Sequence, residues 1–173
     1  NYKEYDVDAV ADRISNQKIV AWFQGRSEHG PRALGSRSIF MSPTRAENKD
    51  ILNERVKHRE GWRPFAGIIR EEDVADYFEE GFVTPYMLYC QTSKTDKIPA
   101  ITHVDKTCRI QTVNESQNPR VYELLGKVDL PVVLNTSFND NGEPIVETPH
   151  HAILSFLKMD IDCLVIGDFI VDK

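Results

Sequence analysis

The chain has 173 residues, of which 40% are hydrophobic and 28% charged, and its net charge at pH 7 is −6. This length and composition suit a single domain with its own hydrophobic core and exclude a disordered chain. Its three cysteines are far apart and fit neither a disulfide framework nor a zinc pattern, which indicates a reducing, cytoplasmic compartment. No signal peptide and no apolar run of membrane-spanning length is present. Because the chain begins with Asn1, we expect it to be a fragment of a longer protein.

The positive charges are concentrated in one segment. Residues 24–63 hold nine Lys/Arg and five Asp/Glu, a local balance of +4, whereas the rest of the chain holds 12 basic and 22 acidic residues, a balance of −10. An acidic protein with its cations gathered in one segment is expected to bind a local anion there. A nucleic-acid-binding protein would more often be basic over a whole face.

Helices and strands alternate along the first half of the predicted structure. The hydrophobic spacing predicts helices over 6–16 and 45–56, and strands over 19–23, 38–41 and 65–69. Thr44 followed three residues later by Glu47 predicts a capping box at the start of the second helix. Asn48 and Asn53 are expected to face solvent on that helix.

The second half continues in the same way, which makes the fold α/β. The predicted helices are 71–80, 118–127 and one starting at Thr148-Pro149, whose apolar face contains Ala152, Ile153, Phe156 and Leu157. The predicted strands are 87–90, 103–113, 128–135, 163–166 and a last edge strand at 169–171, with a polar loop over 91–99.

The segment Ala21–Ile39, AWFQGRSEHGPRALGSRSI, combines three glycines with Arg26, Arg32 and Arg37 directly after a predicted strand. Glycine lets the backbone approach a ligand closely, and the forked donors of arginine match phosphate and carboxylate oxygens. Such a loop can bind an anion. The alternative is a solvated turn that carries ordinary surface arginines.

Three further groups of polar side chains follow predicted elements. Lys57, Arg59 and Arg63 lie within VKHREGWRPFAG, where they are either a second set of anion ligands or a charged helix end. Arg109 lies on a predicted strand. Ser137 and Asn139 follow an apolar strand at its end, where open α/β sheets bind ligands. A lone His103 is expected to be structural.

Four motifs then point to a family. GRSEHGPRALGSRSI, VKHREGWRPFAG, THVDKTCRIQTV and VVLNTSFNDNGEPIV, in this order, resemble the C-terminal domain of the O-carbamoyltransferases of nodulation and antibiotic tailoring. The resemblance covers the chain from Lys18 to its end. His29 and Gly67 are minor departures from the family pattern, and neither removes an expected ligand.

That domain in turn resembles the YrdC fold of threonylcarbamoyl-adenylate synthases. The resemblance implies a single domain with a YrdC-like, open, twisted mixed β-sheet flanked by helices. It also implies that the domain binds carbamoyl phosphate and ATP and makes carbamoyl-adenylate. A preceding Kae1-like domain with a metal site, to which nothing in these residues corresponds, would then pass the carbamoyl group to a substrate hydroxyl.

Joining two polyanions requires cations that suppress their repulsion and stabilise the charge of the transferring group. We expect Arg32, Lys57 and Arg63 to form this clamp, with Arg109 reaching in and Ser137 and Asn139 binding nucleotide phosphate or ribose. Arg26, Arg37 and Arg59 are second choices; for the last two the alternative is a structural ion pair, Arg37 with Glu28 or Arg59 with Glu60. No activated nucleophile is evident, which indicates electrostatic catalysis. Mg²⁺ is expected to accompany ATP, with no fixed metal site in this chain.

Two other functions compete with this interpretation. The first is an RNA- or nucleotide-binding module without catalytic activity that uses the arginine loop. The acidic net charge and the lack of stacking aromatic residues near the cations argue against it. The second is a structural or regulatory domain that keeps the fold and binds nothing alone. We expect neither a nucleic-acid partner nor a membrane.

Overall fold

Nine strands form one sheet, and five helices surround it. The computed structural model describes residues 1–173. The strands are β1 Tyr2–Glu4, β2 Val20–Phe23, β3 Arg37–Met41, β4 Ala66–Arg70, β5 Cys90–Thr92, β6 Thr107–Val113, β7 Val132–Ser137, β8 Cys163–Ile166 and β9 Phe169–Asp172. The helices are α1 Val7–Ser15, α2 Glu47–Leu52, α3 Val74–Tyr77, α4 Pro119–Leu125 and α5 Pro149–Lys158.

The sheet is open and mixed, as predicted. Its strand order is β1-β9-β8-β2-β3-β7-β4-β6-β5. The pairs β2–β8 and β4–β6 are parallel, and all other neighbours are antiparallel. β9 lies between β8 and β1, so the prediction of an edge strand at 169–171 is wrong. The edge strand on that side of the sheet is β1, whose three exposed residues gave no hydrophobic signal.

An apolar layer covers each face of the sheet. On one face, α2 and α5 bury Leu52 and Phe156 against strand residues such as Leu134. On the other, α1 and α4 bury residues such as Ile14 and Val121 against β2, β3 and β7. No helix in the structure combines the length and the hydrophobicity needed to cross a membrane.

Three helices begin where polar caps predict. Asp6, Asn118 and Thr148 each accept a hydrogen bond from a backbone N–H in the first turn of α1, α4 and α5. The apolar face of α5 is only partly buried: Ile153 and Leu157 are 45% and 66% exposed. The apolar face predicted for α5 is therefore wider than the part of the helix that contacts the sheet.

The predicted capping box before α2 does not form. The Thr44 hydroxyl lies 2.8 Å from Ser42 Oγ, and the helix begins after Ala46 without a side-chain cap. Asn48 and Asn53 are buried, contrary to prediction, and Asn48 Nδ2 donates to Ser42 O at 2.8 Å. Both asparagines fix neighbouring loops to the helix, a role that their spacing along the sequence did not reveal.

α2 continues as a π-helical turn, Asn53–Lys57, and ends at His58 with a left-handed φ of 44°. Two other predicted elements also differ from the structure. The predicted helix over 71–80 is a 3₁₀ turn, Glu71–Asp73, followed by the single turn of α3. The predicted strand over 87–90 is absent because Met87 has a φ of 54°, and β5 begins only at Cys90.

Candidate functional site

Three guanidinium groups surround a cavity of about 80 Å³ at one end of the sheet. Arg32 comes from the loop after β2, Arg59 from the segment after the π-helical turn, and Arg109 from β6. We call this space the arginine cavity. Its walls are formed by Pro31, Arg32, Ala33, Arg59, Pro64, Phe65, Ala66, Met87, Arg109, Asn135, Thr136 and Ser137.

The register of three neighbouring strands forms the floor of the arginine cavity. Asn135 of β7 pairs with Ala66 of β4, and Gly67 of β4 pairs with Ile110 of β6. Ala66 is therefore level with Arg109 as well, and the three side chains lie on one face of the sheet. The small methyl group of Ala66 leaves open space between the longer side chains of Asn135 and Arg109.

The glycine–arginine loop is held in place by Glu28. Its Oε1 accepts hydrogen bonds from the backbone N–H groups of Leu34 at 2.7 Å and Ser36 at 2.6 Å. Gly35 has a φ of 102°, and a Cβ there would lie 3.0 Å from Asn118 Nδ2, so the loop passes close to α4 only because this residue is glycine. These contacts fix the loop that carries Arg32.

None of the three arginines of the cavity pairs with a carboxylate. Arg59 stacks on Phe65 at 4.6 Å and donates from Nε to Asn53 Oδ1 at 3.0 Å. Burial lowers the pKa of Arg59, and the cations of Arg63 and Arg109 lower it further. Burial and then Arg32 lower the pKa of Arg109, whose Nε is buried without a hydrogen-bond partner. The cluster therefore carries uncompensated positive charge, which an anion would neutralise.

Lys57 does not line the arginine cavity. It is 6% exposed, and its Nζ lies close to four oxygens at the end of β7 and in the loop that follows it. These are Ser137 O at 3.0 Å, Ser137 Oγ at 3.4 Å, Asn139 O at 2.9 Å and Asn139 Oδ1 at 2.8 Å. Burial lowers the pKa of Lys57 to about 7, and Arg59 contributes to the shift. Lys57 is therefore not placed beside Arg32 as a direct ligand of the clamp; its amine holds the backbone of Ser137 and Asn139 in position.

Ser137 and Asn139 differ in whether they face the arginine cavity. Ser137 lines the arginine cavity, and its hydroxyl donates to Asn139 Oδ1 at 2.6 Å. Asn139 lies outside the cavity, and its Nδ2 donates to Glu143 O at 2.7 Å. The asparagine thus shapes the loop, and only the serine faces the cavity.

The remaining predicted cations occupy three other environments. Arg63 is half exposed and pairs with Glu60 at 2.9 Å, outside the arginine cavity. Arg37 is buried, stacks on Phe23 at 3.7 Å and donates to Gln24 O at 2.8 Å and Gly25 O at 3.1 Å, so it holds the loop together. Neither expected ion pair, Arg37–Glu28 or Arg59–Glu60, is formed.

Arg26 lines a second, larger cavity of about 590 Å³ on the other side of the loop. All ten of its lining residues are polar or small, and they include Arg120, which pairs with Asp168 at 2.5 Å. Arg120 therefore has a carboxylate partner, and Arg26 is left as the unpaired cation of the second cavity.

Sequence reasoning missed Asn135 and Met87 as residues of the site. Asn135 ends the apolar run VVL within a buried strand, and a polar residue there was a usable signal. It also missed Trp62, which is 74% exposed with Arg63 5.7 Å from the centre of its ring. The statement that no stacking aromatic residue lies near the cations is therefore wrong. No group of three His, Cys, Asp or Glu side chains in the structure is placed to hold a metal ion.

Comparison with known families shows which family the chain belongs to. The model of a family described as carbamoyltransferase C-terminus matches residues 11–173. The chain belongs to this family. It is 46% identical to nodulation protein NolO of Bradyrhizobium diazoefficiens, and 39% identical to the 3′-hydroxymethylcephem-O-carbamoyltransferase of Amycolatopsis lactamdurans. These matches cover 95% and 93% of the chain, and the chain spans about a third, 32%, of each relative.

Solved structures support the fold of this carbamoyltransferase C-terminal domain. Full-length HypF, in a phosphate- and nucleotide-bound form, superposes with a TM-score of 0.66 at 22% identity, over 96% of this chain and 22% of that chain. P. abyssi Sua5, complexed with L-threonine, superposes with a TM-score of 0.65 at 17% identity, over 94% of this chain and 46% of that chain. The predicted YrdC-like fold is confirmed.

Proposed function

We propose that this domain binds carbamoyl phosphate and ATP and forms carbamoyl-adenylate, whose carbamoyl group then passes to a substrate hydroxyl on another domain. The observation that carries the proposal is the arginine cavity. Arg32, Arg59 and Arg109 face a small space at the end of the sheet without a carboxylate to neutralise them. Arg59 and Arg109 are partly buried, and an anion in this space relieves the mutual repulsion of the three cations.

The chemistry needs positioning and charge stabilisation rather than a protein nucleophile. Water releases inorganic phosphate from carbamoyl phosphate and leaves carbamate. A carbamate oxygen attacks the α-phosphorus of ATP, the bond from that phosphorus to the β-phosphate bridging oxygen breaks, and pyrophosphate leaves. The guanidinium groups of the arginine cavity would hold the carbamoyl phosphate and stabilise the charge of the transferring group. Mg²⁺ would arrive with ATP and neutralise its phosphates.

The other predicted site residues take distinct roles in this proposal. Ser137 lines the cavity wall, and its hydroxyl can donate to a phosphate oxygen only if it leaves Asn139 Oδ1, while Lys57 holds that wall in position. Arg63 lies outside the arginine cavity, near Arg59, where the second polyanion would approach. Arg26 remains a candidate ligand for a part of the nucleotide that extends beyond the cavity.

The transfer step belongs to a different part of the complete protein in this proposal. The chain spans about a third of its curated relatives, so most of their length lies outside the region that matches it. We propose that this remainder contains the Kae1-like domain with its metal site. We therefore expect the domain alone to bind its substrates, to form adenylate weakly because its site is open to water, and to transfer no carbamoyl group.

One observation favours a second candidate, an RNA-binding module. Exposed Trp62 beside Arg63 could stack on an unpaired base. The acidic net charge disfavours this function, because nucleic-acid affinity depends chiefly on neutralising phosphates over an extended surface.

Calorimetry of the domain with carbamoyl phosphate, Mg²⁺–ATP and a short single-stranded RNA separates these functions. We expect both small ligands to bind, with affinity that falls as salt rises, and the RNA not to bind. A parallel assay compares the domain with the full-length parent, using labelled carbamoyl phosphate and a hydroxyl acceptor. Binding of RNA alone would replace the proposal by the second candidate. Carbamoylated product from the isolated domain would show that the transfer site lies within these 173 residues.

A further inference from the structure

One side-chain acceptor on the floor of the arginine cavity lacks a donor. Asn135 is 1% exposed, and its Nδ2 donates to Ala33 O at 3.3 Å and to Gln111 Oε1 at 3.1 Å. Its Oδ1 is buried and has no hydrogen-bond partner. A buried oxygen in this state has lost its water without gaining a protein donor, which is rare in folded proteins.

The neighbours of Asn135 fix which end of its amide is the oxygen. Gln111 Nε2 donates to Leu34 O at 2.8 Å, so Gln111 must turn its oxygen toward Asn135. Ala33 O is a backbone acceptor and cannot exchange roles. Because both neighbours accept, the NH₂ group of Asn135 must face them, and Oδ1 points away from both.

The three cations of the arginine cavity are donors only. Arg32, Arg59 and Arg109 offer only N–H groups, and the buried Nε of Arg109 also lacks a partner. A phosphate or carboxylate could accept from the arginines but would offer Asn135 no N–H. A carbamoyl group carries an acceptor oxygen and an N–H₂ on the same carbon, and it satisfies both kinds of protein group at once.

We propose that Asn135 Oδ1 accepts a hydrogen bond from the carbamoyl NH₂ and makes the site select carbamoyl anions over acyl anions of the same shape. This inference rests on the proposed function and identifies the residue that recognises the carbamoyl NH₂ group. The adenine amino group is the other N–H₂ of the two substrates. A cavity of about 80 Å³ holds a few waters or one small anion rather than a purine ring, so it favours the carbamoyl group.

The test compares carbamoyl phosphate with acetyl phosphate, which has the same charge and replaces the NH₂ by a methyl group. Both affinities are measured by calorimetry for the wild-type domain, Asn135→Leu and Asn135→Ala. The wild-type domain should prefer carbamoyl phosphate by about tenfold to a hundredfold, the range expected when a buried acceptor loses its donor. In both variants the ratio of the two affinities should fall to about one. The smaller alanine serves if leucine prevents folding.

Gln111→Leu is the matched control. It removes one of the two acceptors of the Asn135 NH₂ group, while Ala33 O still fixes the orientation of the amide, and Gln111 does not line the cavity. Its affinity ratio should remain that of the wild-type domain even if both affinities change. A merely structural role for Asn135 would weaken both ligands together in all three variants and leave the ratio unchanged.

Each contrary result has a distinct meaning. Equal wild-type affinities for carbamoyl and acetyl phosphate overturn the inference and leave the proposed function standing. A wild-type domain that binds neither anion overturns both. A further arm measures ATP against GTP: if Asn135→Leu alters that ratio and not the carbamoyl–acetyl ratio, Oδ1 reads the adenine amino group and the inference is wrong.

Discussion

Replacing Arg109 by Met should make this domain more stable and at the same time remove anion binding. The guanidinium group of Arg109 makes no hydrogen bond, its Nε is buried without a partner, and Arg32 and Arg59 lie close enough for the charges to interact. Methionine keeps much of the apolar stem of the side chain and removes the charge. Sites that bind charged ligands commonly carry such a cost in stability.

The size of the effect follows from these contacts. An unpaired buried donor costs about 1–3 kcal/mol, and packing lost with the longer arginine stem offsets part of the gain. We therefore expect Arg109→Met to raise the free energy of unfolding by about 1 kcal/mol. For a chain of this length that corresponds to a melting temperature about 2–4 °C higher.

The assay is urea and thermal unfolding with and without phosphate. At a phosphate concentration one hundred times its dissociation constant, the free energy of unfolding of the wild-type domain should increase by about 2.7 kcal/mol. Arg109→Met should gain far less at the same concentration. Arg45→Met is the control, because Arg45 is exposed, makes no side-chain hydrogen bond or ion pair and lies outside the cavity. It should change neither stability nor the response to phosphate.

Two results would refute this reasoning. If Arg109→Met is less stable than the wild-type domain by more than 1 kcal/mol, the side chain supports the fold and its charge is not a burden. If phosphate stabilises the variant as much as the wild-type domain, the arginine cavity is not where the anion binds.

Three further predictions concern the other cations. Between pH 7 and 9, the free energy of unfolding of the wild-type domain should rise by about 2–3 kcal/mol relative to that of Lys57→Met. The pKa of Lys57 is lowered in the folded domain, so over this range the unfolded chain keeps a proton that the folded domain has lost. Urea unfolding curves of the two proteins that change in parallel with pH would contradict this. Arg37→Met should cost about 2 kcal/mol in urea unfolding, because the Gln24 and Gly25 carbonyls lose their donor; an unchanged midpoint would exclude this structural role. Arg32→Lys should weaken anion binding about tenfold in calorimetry, because lysine lacks the bidentate fork, and an unaltered affinity would mean that charge alone matters.

The sequence determined most of the secondary structure and the chemical type of the site. Apolar runs such as 19–23 and 163–166, and caps such as Asn118 and Thr148, depend on neighbours within a few residues, so they can be read locally. The concentration of arginines and glycines over 24–63 indicated an anion site, and the four motifs indicated the family. These signals can be interpreted without the tertiary structure because they depend only on residue type and short spacing along the chain.

Only the tertiary structure decided which of the cations face one another. Arg37 and Lys57 are basic residues like those of the arginine cavity. Both are nevertheless buried and hydrogen-bonded to backbone oxygens of the segments that follow β2 and β7. Asn135 and Arg109 share a floor through the register of strands that lie far apart in the sequence. Whether a basic side chain is free to bind a ligand or instead stabilises a loop depends on which backbone oxygens lie within hydrogen-bonding distance of it. Long-range strand pairing determines which oxygens those are.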